Sequence, residues 1–342
     1  MNFIWGIILS LITVLVLALI PFVGVQGANL QFFFGIVIPY SAMIIFLVGM
    51  VGRLLFWSHS PVPFRIPTTT GQQKSFPWIK QGKIENPSTA AGVFGRMILE
   101  IFFFRSLFRN TRLEFRQGPR VTYEGEKWLW LAALLFHYSL LVVLLRHLKF
   151  FTQPIPAFVG FLESIDGFAQ IGIGPFSGLG LPGLLISGIT LLIAAAYLFL
   201  RRIYVPTVRY ISLPSDYFPL FLIMAIAKTG ILMRHIFKVD VVSVKELAMG
   251  LVTFHPVVPQ GIGVLFYIHL FLVCCLLTYF PFSKLVHLGG IFLSPTHNMA
   301  NNNRMVRHIN PWDYPVKVHT YDEYEEEFRE KMIEAGIPVE KE

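Results

Sequence analysis

The fold is decided by two apolar stretches that each carry two histidines, WLWLAALLFHYSLLVVLLRHLKFF (128–151) and GVLFYIHLFLVCCLLTYFPFSKLVH (263–287). These histidines are His137 and His147 in the first stretch and His269 and His287 in the second. An ionisable side chain inside a bilayer is costly, so it usually marks a functional path. Four imidazoles on two long segments are what two bis-histidine haems need, because each iron takes one axial ligand from either side.

The whole chain has the composition of a protein that crosses a membrane several times. Hydrophobic residues make up 54% of its 342 positions and charged residues 14%, against about 25% charged in a typical soluble domain. Six apolar stretches are each near the roughly 20 residues that a spanning helix needs. They lie at about 3–23, 31–52, 128–148, 181–200, 217–237 and 262–283. We predict an all-α membrane protein with six transmembrane helices, the first a retained anchor because no Lys or Arg precedes it.

Basic residues in the loops predict the orientation of the chain. Twelve Lys or Arg lie from Arg53 to Lys127, whereas the loop around 150–180 has two acids and no base. Because basic loops remain in the cytoplasm, both termini of a six-span protein are expected inside the cell. The net charge of +8 then follows from topology, and no fold signature of nucleic-acid binding accompanies it.

The two cysteines exclude several kinds of redox site. Cys274 and Cys275 are adjacent in the sixth stretch, so they cannot form an ordinary disulfide with each other. The sequence has no C-x-x-C-H attachment motif, and two cysteines cannot hold an iron–sulfur cluster. Any haem is therefore expected to be non-covalently bound haem b, and any iron–sulfur chemistry belongs to a partner protein.

The sequence divides into four parts. They are two N-terminal transmembrane helices (1–53), a cytoplasmic loop (54–126), the four-helix di-haem part (127–287) and a cytoplasmic tail (288–342). Within the loop, apolar residues and arginines recur with helical spacing over 94–108, which predicts an amphipathic helix on the inner membrane surface or packed in a larger complex. Residues 154–180, rich in Gly and Pro, are expected to cover the outer end of the bundle.

The tail predicts one further helix. Thr320 and Glu323 have the spacing of a capping box, and Gly336 is expected to end the helix near residue 335. Nine acids between 322 and 342 surround one apolar stripe. Because so short a helix is marginal alone in water, we expect it to dock on a cytoplasmic partner, with a solvated tail as the alternative.

The direction of the helices predicts how the four histidines pair. The third span runs outward and the sixth returns, so His147 meets His269 near the outer face and His137 meets His287 near the inner face. Ten residues rise about 15 Å and eighteen about 27 Å, and a mean of about 20 Å suits two haems across a core about 30 Å thick. The mismatch is expected to be absorbed by tilt, by haem offset and by a kink at Pro281. A lone intramembrane histidine would favour helix–helix hydrogen bonding, but four in matched positions favour haem.

Several motifs resemble the membrane cytochromes b related to the respiratory nitrate reductase gamma subunit. That family places histidines at the same ten- and eighteen-residue spacings on a five-helix core, to which the first helix here is an addition. A narrower resemblance, to the DsrM cytochromes of the DsrMKJOP sulfite-reduction-associated complex and to membrane heterodisulfide-reductase cytochromes, rests on four segments. They are DYFPLFLIMAIAKTGILMR (216–234), YFPFSKLVH (279–287), GGIFLSPTHNMANNNR (289–304) and NPWDYPVKVHTYDEYEEEFREKM (310–332).

The resemblance implies a menaquinol-oxidising subunit in the cell membrane of a prokaryote. Two haems b would pass electrons across the lipid membrane to a cytoplasmic iron–sulfur subunit, DsrK-like and related to heterodisulfide reductase, in dissimilatory sulfate reduction. The resemblance is also compatible with further membrane subunits and with external cytochrome c and iron–sulfur subunits. The alternatives are the cytochrome of a membrane heterodisulfide reductase, a proton or ion transporter, and a structural anchor without haem.

The expected quinol site is lipid-accessible, lies near the outer haem and contains groups that accept protons. Lys228 lies about midway along the fifth stretch, where an unpartnered ammonium is costly, and its alternative role is to pair with a haem propionate. Arg234 suits a propionate because it stays charged, and His235 titrates near neutrality. We predict that Lys228 and His235 are catalytic, that His147 lines the same site, and that protons are released outside.

Overall fold

The computed structural model describes residues 3–60, 62, 65–66, 71–118, 120–167, 185–302 and 319–340. Within these residues, six helices are long and apolar enough to cross a membrane. They are α1 (Phe3–Ala28), α2 (Phe33–Ser58, beginning with a π-helical turn), α5 (Lys127–Phe151), α7 (Ile186–Tyr204), α9 (Pro214–His235) and α11 (Val264–Tyr279, continued by a 3₁₀ turn at Phe280–Phe282). The prediction of six spanning helices is therefore confirmed, although the fourth span begins at Ile186 and not near 181.

Shorter helices occupy the connections. They are α3 (Ala90–Phe103), α4 (Arg105–Phe108), α6 (Ala157–Asp166), α8 (Pro206–Ile211), α10 (Val241–Val252), α12 (His287–Leu293), α13 (Pro295–Asn298) and α14 (Tyr321–Glu334). The helix expected over 94–108 is present but is divided by Phe104, which adopts a left-handed conformation with φ of 50°. Of the expected outer cover at 154–180, α6 is described and residues 168–184 lie outside the described part.

The tail helix α14 forms as its sequence predicts. The Thr320 hydroxyl accepts a hydrogen bond from the Glu323 amide, and the Glu323 carboxylate accepts one from the Thr320 amide. The helix ends at Glu334, and Gly336 follows with φ of +67°, a conformation that glycine adopts without strain. Residues 303–318, which include the start of the tail motif, lie outside the described part.

A β-hairpin in the 54–126 loop adds to the predicted all-helical fold. Strands β1 (Thr111–Arg116) and β2 (Arg120–Gly125) pair antiparallel, with Leu113 opposite Tyr123. The base of the hairpin is fixed by Glu126, whose carboxylate lies 2.7 Å from the Arg201 guanidinium at the end of α7. The sequence analysis missed these strands because each has only six residues, a short run for recognising alternation.

The spanning helices form a bundle that leaves a space between α5 and α11. Helix α5 packs on α7, α7 on α9 and α9 on α11, whereas α5 and α11 have no extensive contact with each other. The buried core between α5, α7 and α9 includes Phe136, Leu191, Ala195 and Ile223. Helix α5, which carries His137 and His147, is therefore held near α11, which carries His269, through α7 and α9 and not by close packing of the two helices.

The outer faces of the bundle have the character of lipid-contacting surface. Helices α1 and α2 pack mainly against α9 and α11 and expose large apolar side chains, including Leu15 (60% exposed) and Val48 (67%). Exposed apolar surface of this extent is unusual for a soluble monomer. Together with the hydropathy of the six helices, it indicates a multi-pass membrane protein.

Candidate haem sites

The structure brings the four histidines together in the two pairs expected from helix direction. The ring centroids of His137 on α5 and His287 at the start of α12 lie 5.9 Å apart, with the ring planes at 83°. The centroids of His147 on α5 and His269 on α11 lie 6.4 Å apart, with the planes at 13°. We call these the inner pair (His137 and His287) and the outer pair (His147 and His269).

Both distances suit a metal held between the two rings of a pair. Two imidazoles on opposite sides of a metal, with metal–nitrogen bonds of about 2 Å, place their ring centroids about 6 Å apart. Within the described residues, no group of three or more His, Cys, Asp or Glu side chains is placed to hold a metal ion. Two protein ligands per site are too few for a bare ion but are the number that a haem iron requires, since the porphyrin occupies the other positions.

Hydrogen bonds orient the rings of the α5 histidines. His137 Nδ1 lies 2.7 Å from the Ala133 carbonyl oxygen, and His147 Nδ1 lies 2.6 Å from the Val143 carbonyl oxygen. Because a carbonyl oxygen only accepts, the proton of each ring must sit on Nδ1. Nε2 is left with its lone pair free to bind a metal, and a fixed Nδ1–H partner is the usual outer-shell support of a ligating histidine.

Helix α9 orients His269 in the outer pair. The Thr229 hydroxyl donates to the Ala225 carbonyl on its own helix at 2.9 Å, and its oxygen lies 2.8 Å from His269 Nδ1, from which it can accept. Gly230 lies beside His269, since a Cβ at this position would be 3.4 Å from His269 Cε1, which is van der Waals contact. The fifth spanning helix therefore supports a ligand of the sixth.

His287 reaches the inner pair because α11 ends early. The helix stops at Tyr279, two 3₁₀ turns follow at Phe280–Phe282 and Lys284–Val286, and His287 begins α12. This break, with Pro281 in the first turn, is the kink that the sequence predicts. The Lys284 carbonyl oxygen lies 2.8 Å from His287 Nδ1 and fixes the tautomer as in the α5 histidines.

Two aromatic rings pack against His137 in the inner pair. The Phe104 ring meets the His137 ring edge-to-face at 5.0 Å, and Phe136 does so at 5.2 Å. Phe104 reaches this position through its left-handed backbone conformation between α3 and α4. Sequence reasoning missed this contact, because no local pattern marks a phenylalanine as left-handed.

A buried ion pair lies beside the outer pair. Arg146, which precedes His147, donates to the Asp166 carboxylate and to the Ser187 hydroxyl at 2.9 Å. The Ser187 amide and hydroxyl also donate to Asp166, each at 2.6 Å. This network joins α5, α6 and α7, and all three side chains are more than 90% buried. The sequence analysis did not identify it, although a charged residue next to a candidate ligand was a usable signal.

A second, more exposed carboxylate lies at the same end of the bundle. Glu163 Oε1 lies 2.7 Å from Lys149 Nζ and 3.9 Å from Arg234 Nη1. Partial burial alone would raise the pKa of the Glu163 carboxyl, but the hydrogen bond from Lys149 and the charges of Lys149, Arg146 and Arg234 outweigh it. The net effect holds this pKa below its usual value, so Glu163 is ionised at neutral pH.

The residues predicted for the quinol site differ in their exposure and in their contacts. Arg234 faces Glu163, and the Arg234 Nε is buried without a hydrogen-bond partner in the described chain. Lys228 is exposed and forms no hydrogen bond or ion pair with a described residue, and His235 is half-buried. Seven residues make about two helical turns, so Lys228 and His235 lie in one row on α9. The catalytic roles assigned to these residues stay predictions.

Comparison with known proteins identifies the family. The family described as "Nitrate reductase gamma subunit" matches residues 92–308, a range that contains both histidine pairs. The chain is 48% identical over 287 residues to an "Hdr-like menaquinol oxidoreductase cytochrome b-like subunit" of Archaeoglobus fulgidus, covering 82% of this chain and 83% of that protein. It is 44% identical to the protein of the same description from Archaeoglobus profundus, with 81% of each covered. The "Respiratory nitrate reductase 1 gamma chain" of Escherichia coli is 29% identical over 35% of this chain and 56% of its own length. The chain therefore belongs to the nitrate reductase gamma subunit family.

Proposed function

We propose that this chain is the di-haem cytochrome b subunit of a membrane menaquinol oxidoreductase. The observation that carries the proposal is the geometry of the two histidine pairs, whose centroid distances of 5.9 and 6.4 Å suit an iron between each pair of rings. Membership of the nitrate reductase gamma subunit family and the similarity to the two archaeal menaquinol oxidoreductase subunits support it.

The inner and outer pairs would each hold one haem b. When bound, such a group transfers single electrons through its iron. The chain supplies the axial nitrogens, fixes the four tautomers through Nδ1 and keeps α5 and α11 apart. Arg234 at the outer end would meet a propionate; its guanidinium stays charged, and its Nε–H is buried without a partner among the described residues.

Quinol would be oxidised beside the outer pair. Exposed Lys228 and half-buried His235 lie in one row on α9, from which a quinol dissolved in the lipid would approach. An ammonium exposed in the middle of a span is costly unless it meets a polar ligand, and a quinol oxygen is such a ligand. His235 can accept a proton because a neutral imidazole has one nitrogen with a free lone pair.

Electrons would leave from the inner pair to a cytoplasmic iron–sulfur subunit related to heterodisulfide reductase. With both termini inside, the hairpin, α3 and α14 lie on the cytoplasmic side and offer surfaces for that subunit. The chain itself has only two cysteines, Cys274 and Cys275, both within α11, so the cluster ligands must come from the partner. The tail and YFPFSKLVH motifs favour a DsrK-like partner and a role in dissimilatory sulfur metabolism.

Rapid-mixing reduction of the purified protein tests this function. A menaquinol analogue should reduce the oxidised protein and produce the α-band of low-spin haem b, with the outer haem reduced first. A haem-bearing protein that takes no electrons from the analogue would contradict the quinol assignment. A protein without haem would leave the transporter alternative, which proton uptake into proteoliposomes would then reveal.

A further inference from the structure

We propose that Glu163 accepts one of the two protons released when quinol is oxidised at the outer pair, an inference that rests on the proposed function. Neither the sequence motifs nor the names of the relatives assign a role to this residue. The inference follows from the position of the Glu163 carboxylate on α6 and from the carboxylate oxygen to which no described neighbour donates a hydrogen bond.

Glu163 lies about one helical turn outward of the outer pair. Its partner Lys149 follows His147 by two residues on α5, and its second neighbour Arg234 lies four residues after Gly230, which touches His269. Four residues rise about 6 Å along a helix. The Glu163 carboxylate therefore lies near side chains of both α5 and α9, close to the outer pair. It is on the side of the membrane where protons are expected to leave.

The neighbouring Asp166 is not available for the same task. Its Oδ1 accepts the Ser187 amide, and its Oδ2 accepts both the Ser187 hydroxyl and Arg146. The carboxylate is 5% exposed. A proton on Asp166 would disrupt a buried ion pair, which is strongly unfavourable, so this residue acts as a structural tie between α5, α6 and α7.

In Glu163, in contrast, one carboxylate oxygen remains available to a ligand. Both of its cationic neighbours approach Oε1, and no described residue donates a hydrogen bond to Oε2. Its side chain is 30% exposed. Oε2 can therefore accept a hydrogen bond from a quinol hydroxyl and then its proton, and the exposed edge lets that proton pass to water.

The charges around Glu163 favour its ionised form before each turnover. Arg146 and Lys149 face it from α5 and Arg234 faces it from α9, while Asp166 lies one turn away on its own helix. Three cations against two carboxylates leave one excess positive charge. The carboxylate is thus ready to accept at neutral pH, and it releases the proton again because its ionised form is favoured.

The proton and electron balance requires two acceptors. Both O–H bonds of menaquinol would break and menaquinone would leave, while its two electrons would pass one at a time to the oxidised haem that the outer pair would hold. One proton goes to Glu163 Oε2 and the other to His235 or to outer water. The oxidant is the haem chain, which the cytoplasmic iron–sulfur partner reoxidises.

Replacing Glu163 by Gln tests the inference in the full haem-loaded protein. Glutamine keeps an oxygen for Lys149 but cannot take up a proton at neutral pH. We expect both haem α-bands unchanged and reduction by a menaquinol analogue slowed about tenfold, less than the roughly 100- to 10,000-fold typical of a general acid or base, because His235 or outer water can still accept a proton. In the wild type the rate of haem reduction should fall as the pH drops through the Glu163 pKa, because the carboxylate becomes protonated. In Glu163→Gln this acidic limb should be absent, and Glu163→Asp should restore part of both effects.

Glu246→Gln is the matched control, because Glu246 is an exposed carboxylate on α10 at the same end of the bundle. It should behave as the wild type. Wild-type rates and an unchanged acidic limb in Glu163→Gln would overturn the inference, as would loss of a haem. If the wild type and Glu246→Gln also take no electrons from the analogue, the proposed function itself fails and the inference with it.

Discussion

Lys284 and Asp216 connect the start of α9 to the turn that presents His287. The Lys284 ammonium lies 2.7 Å from Asp216 Oδ1, while the Lys284 carbonyl oxygen lies 2.8 Å from His287 Nδ1. The Asp216 carboxylate is 4% exposed and also lies near Arg202. A buried acid on the fifth span therefore positions an inner histidine that lies beyond the sixth.

Replacing Asp216 by Asn should weaken binding of the inner haem and leave the outer haem bound. Outer-shell partners of a ligating histidine typically contribute about 10–100-fold to metal affinity, and the exposed Lys284 favours the lower end. Haem retention during gel filtration, followed by the α-bands, measures the effect. Equal retention of both haems would show that the Asp216–Lys284 pair does not position His287.

The two haems should differ in electron paramagnetic resonance. The imidazole planes are nearly perpendicular in the inner pair and nearly parallel in the outer pair, at 83° and 13°. Parallel planes separate the iron d orbitals that point at the rings, whereas crossed planes leave them close in energy. The oxidised protein should therefore give one rhombic low-spin signal and one strongly anisotropic signal with a large g value.

The assignment of the two signals can be checked with ligand variants. His269→Ala should remove the rhombic signal, and His137→Ala should remove the strongly anisotropic one. Two signals of the same type, or loss of the wrong one, would contradict the ring geometry of the pairs.

Lys228→Ala should slow the reduction of haem by a menaquinol analogue by about tenfold while both haems stay bound. Lys228 is exposed on α9 and has no polar partner in the described chain, so its removal should disturb little of the fold. Lys238, which is also exposed but lies beyond the end of α9, provides the control as Lys238→Ala. An unchanged rate, or loss of a haem, would assign Lys228 a structural role.

Deletion of residues 320–342 should weaken association with the cytoplasmic iron–sulfur subunit without removing haem. Helix α14 carries most of the tail's acids, and Tyr324, Phe328 and Ile333 are at least partly exposed. Co-purification with the partner at increasing salt compares the truncated and full chains. The truncated chain should lose the partner at lower salt, and equal retention would exclude the tail as a docking element.

The sequence was sufficient to predict the spans and the histidine pairs, because both depend on long-range regularities. Twenty apolar residues can hardly form anything but a spanning helix, and antiparallel helices leave only one sensible pairing of His137, His147, His269 and His287. The break before His287 was also predictable, since Pro281 cannot continue a helix without strain.

Contacts between segments far apart in the chain were not predictable. The ion pair of Arg146 with Asp166 joins residues that are twenty positions apart, and the pair of Asp216 with Lys284 joins residues sixty-eight apart. Nothing in the local sequence marks which cation will meet which buried acid. The same holds for Glu163 and Asp166. Their different roles depend on how many hydrogen-bond donors reach each carboxylate.

The haem content per chain tests the central claim most directly. Purified wild-type protein, quantified by the pyridine haemochrome spectrum against amino-acid analysis, should contain two haems b. The variants His147→Ala and His137→Ala should each contain one, with the remaining α-band belonging to the other pair. One haem in the wild type, or two haems in either variant, would contradict the account.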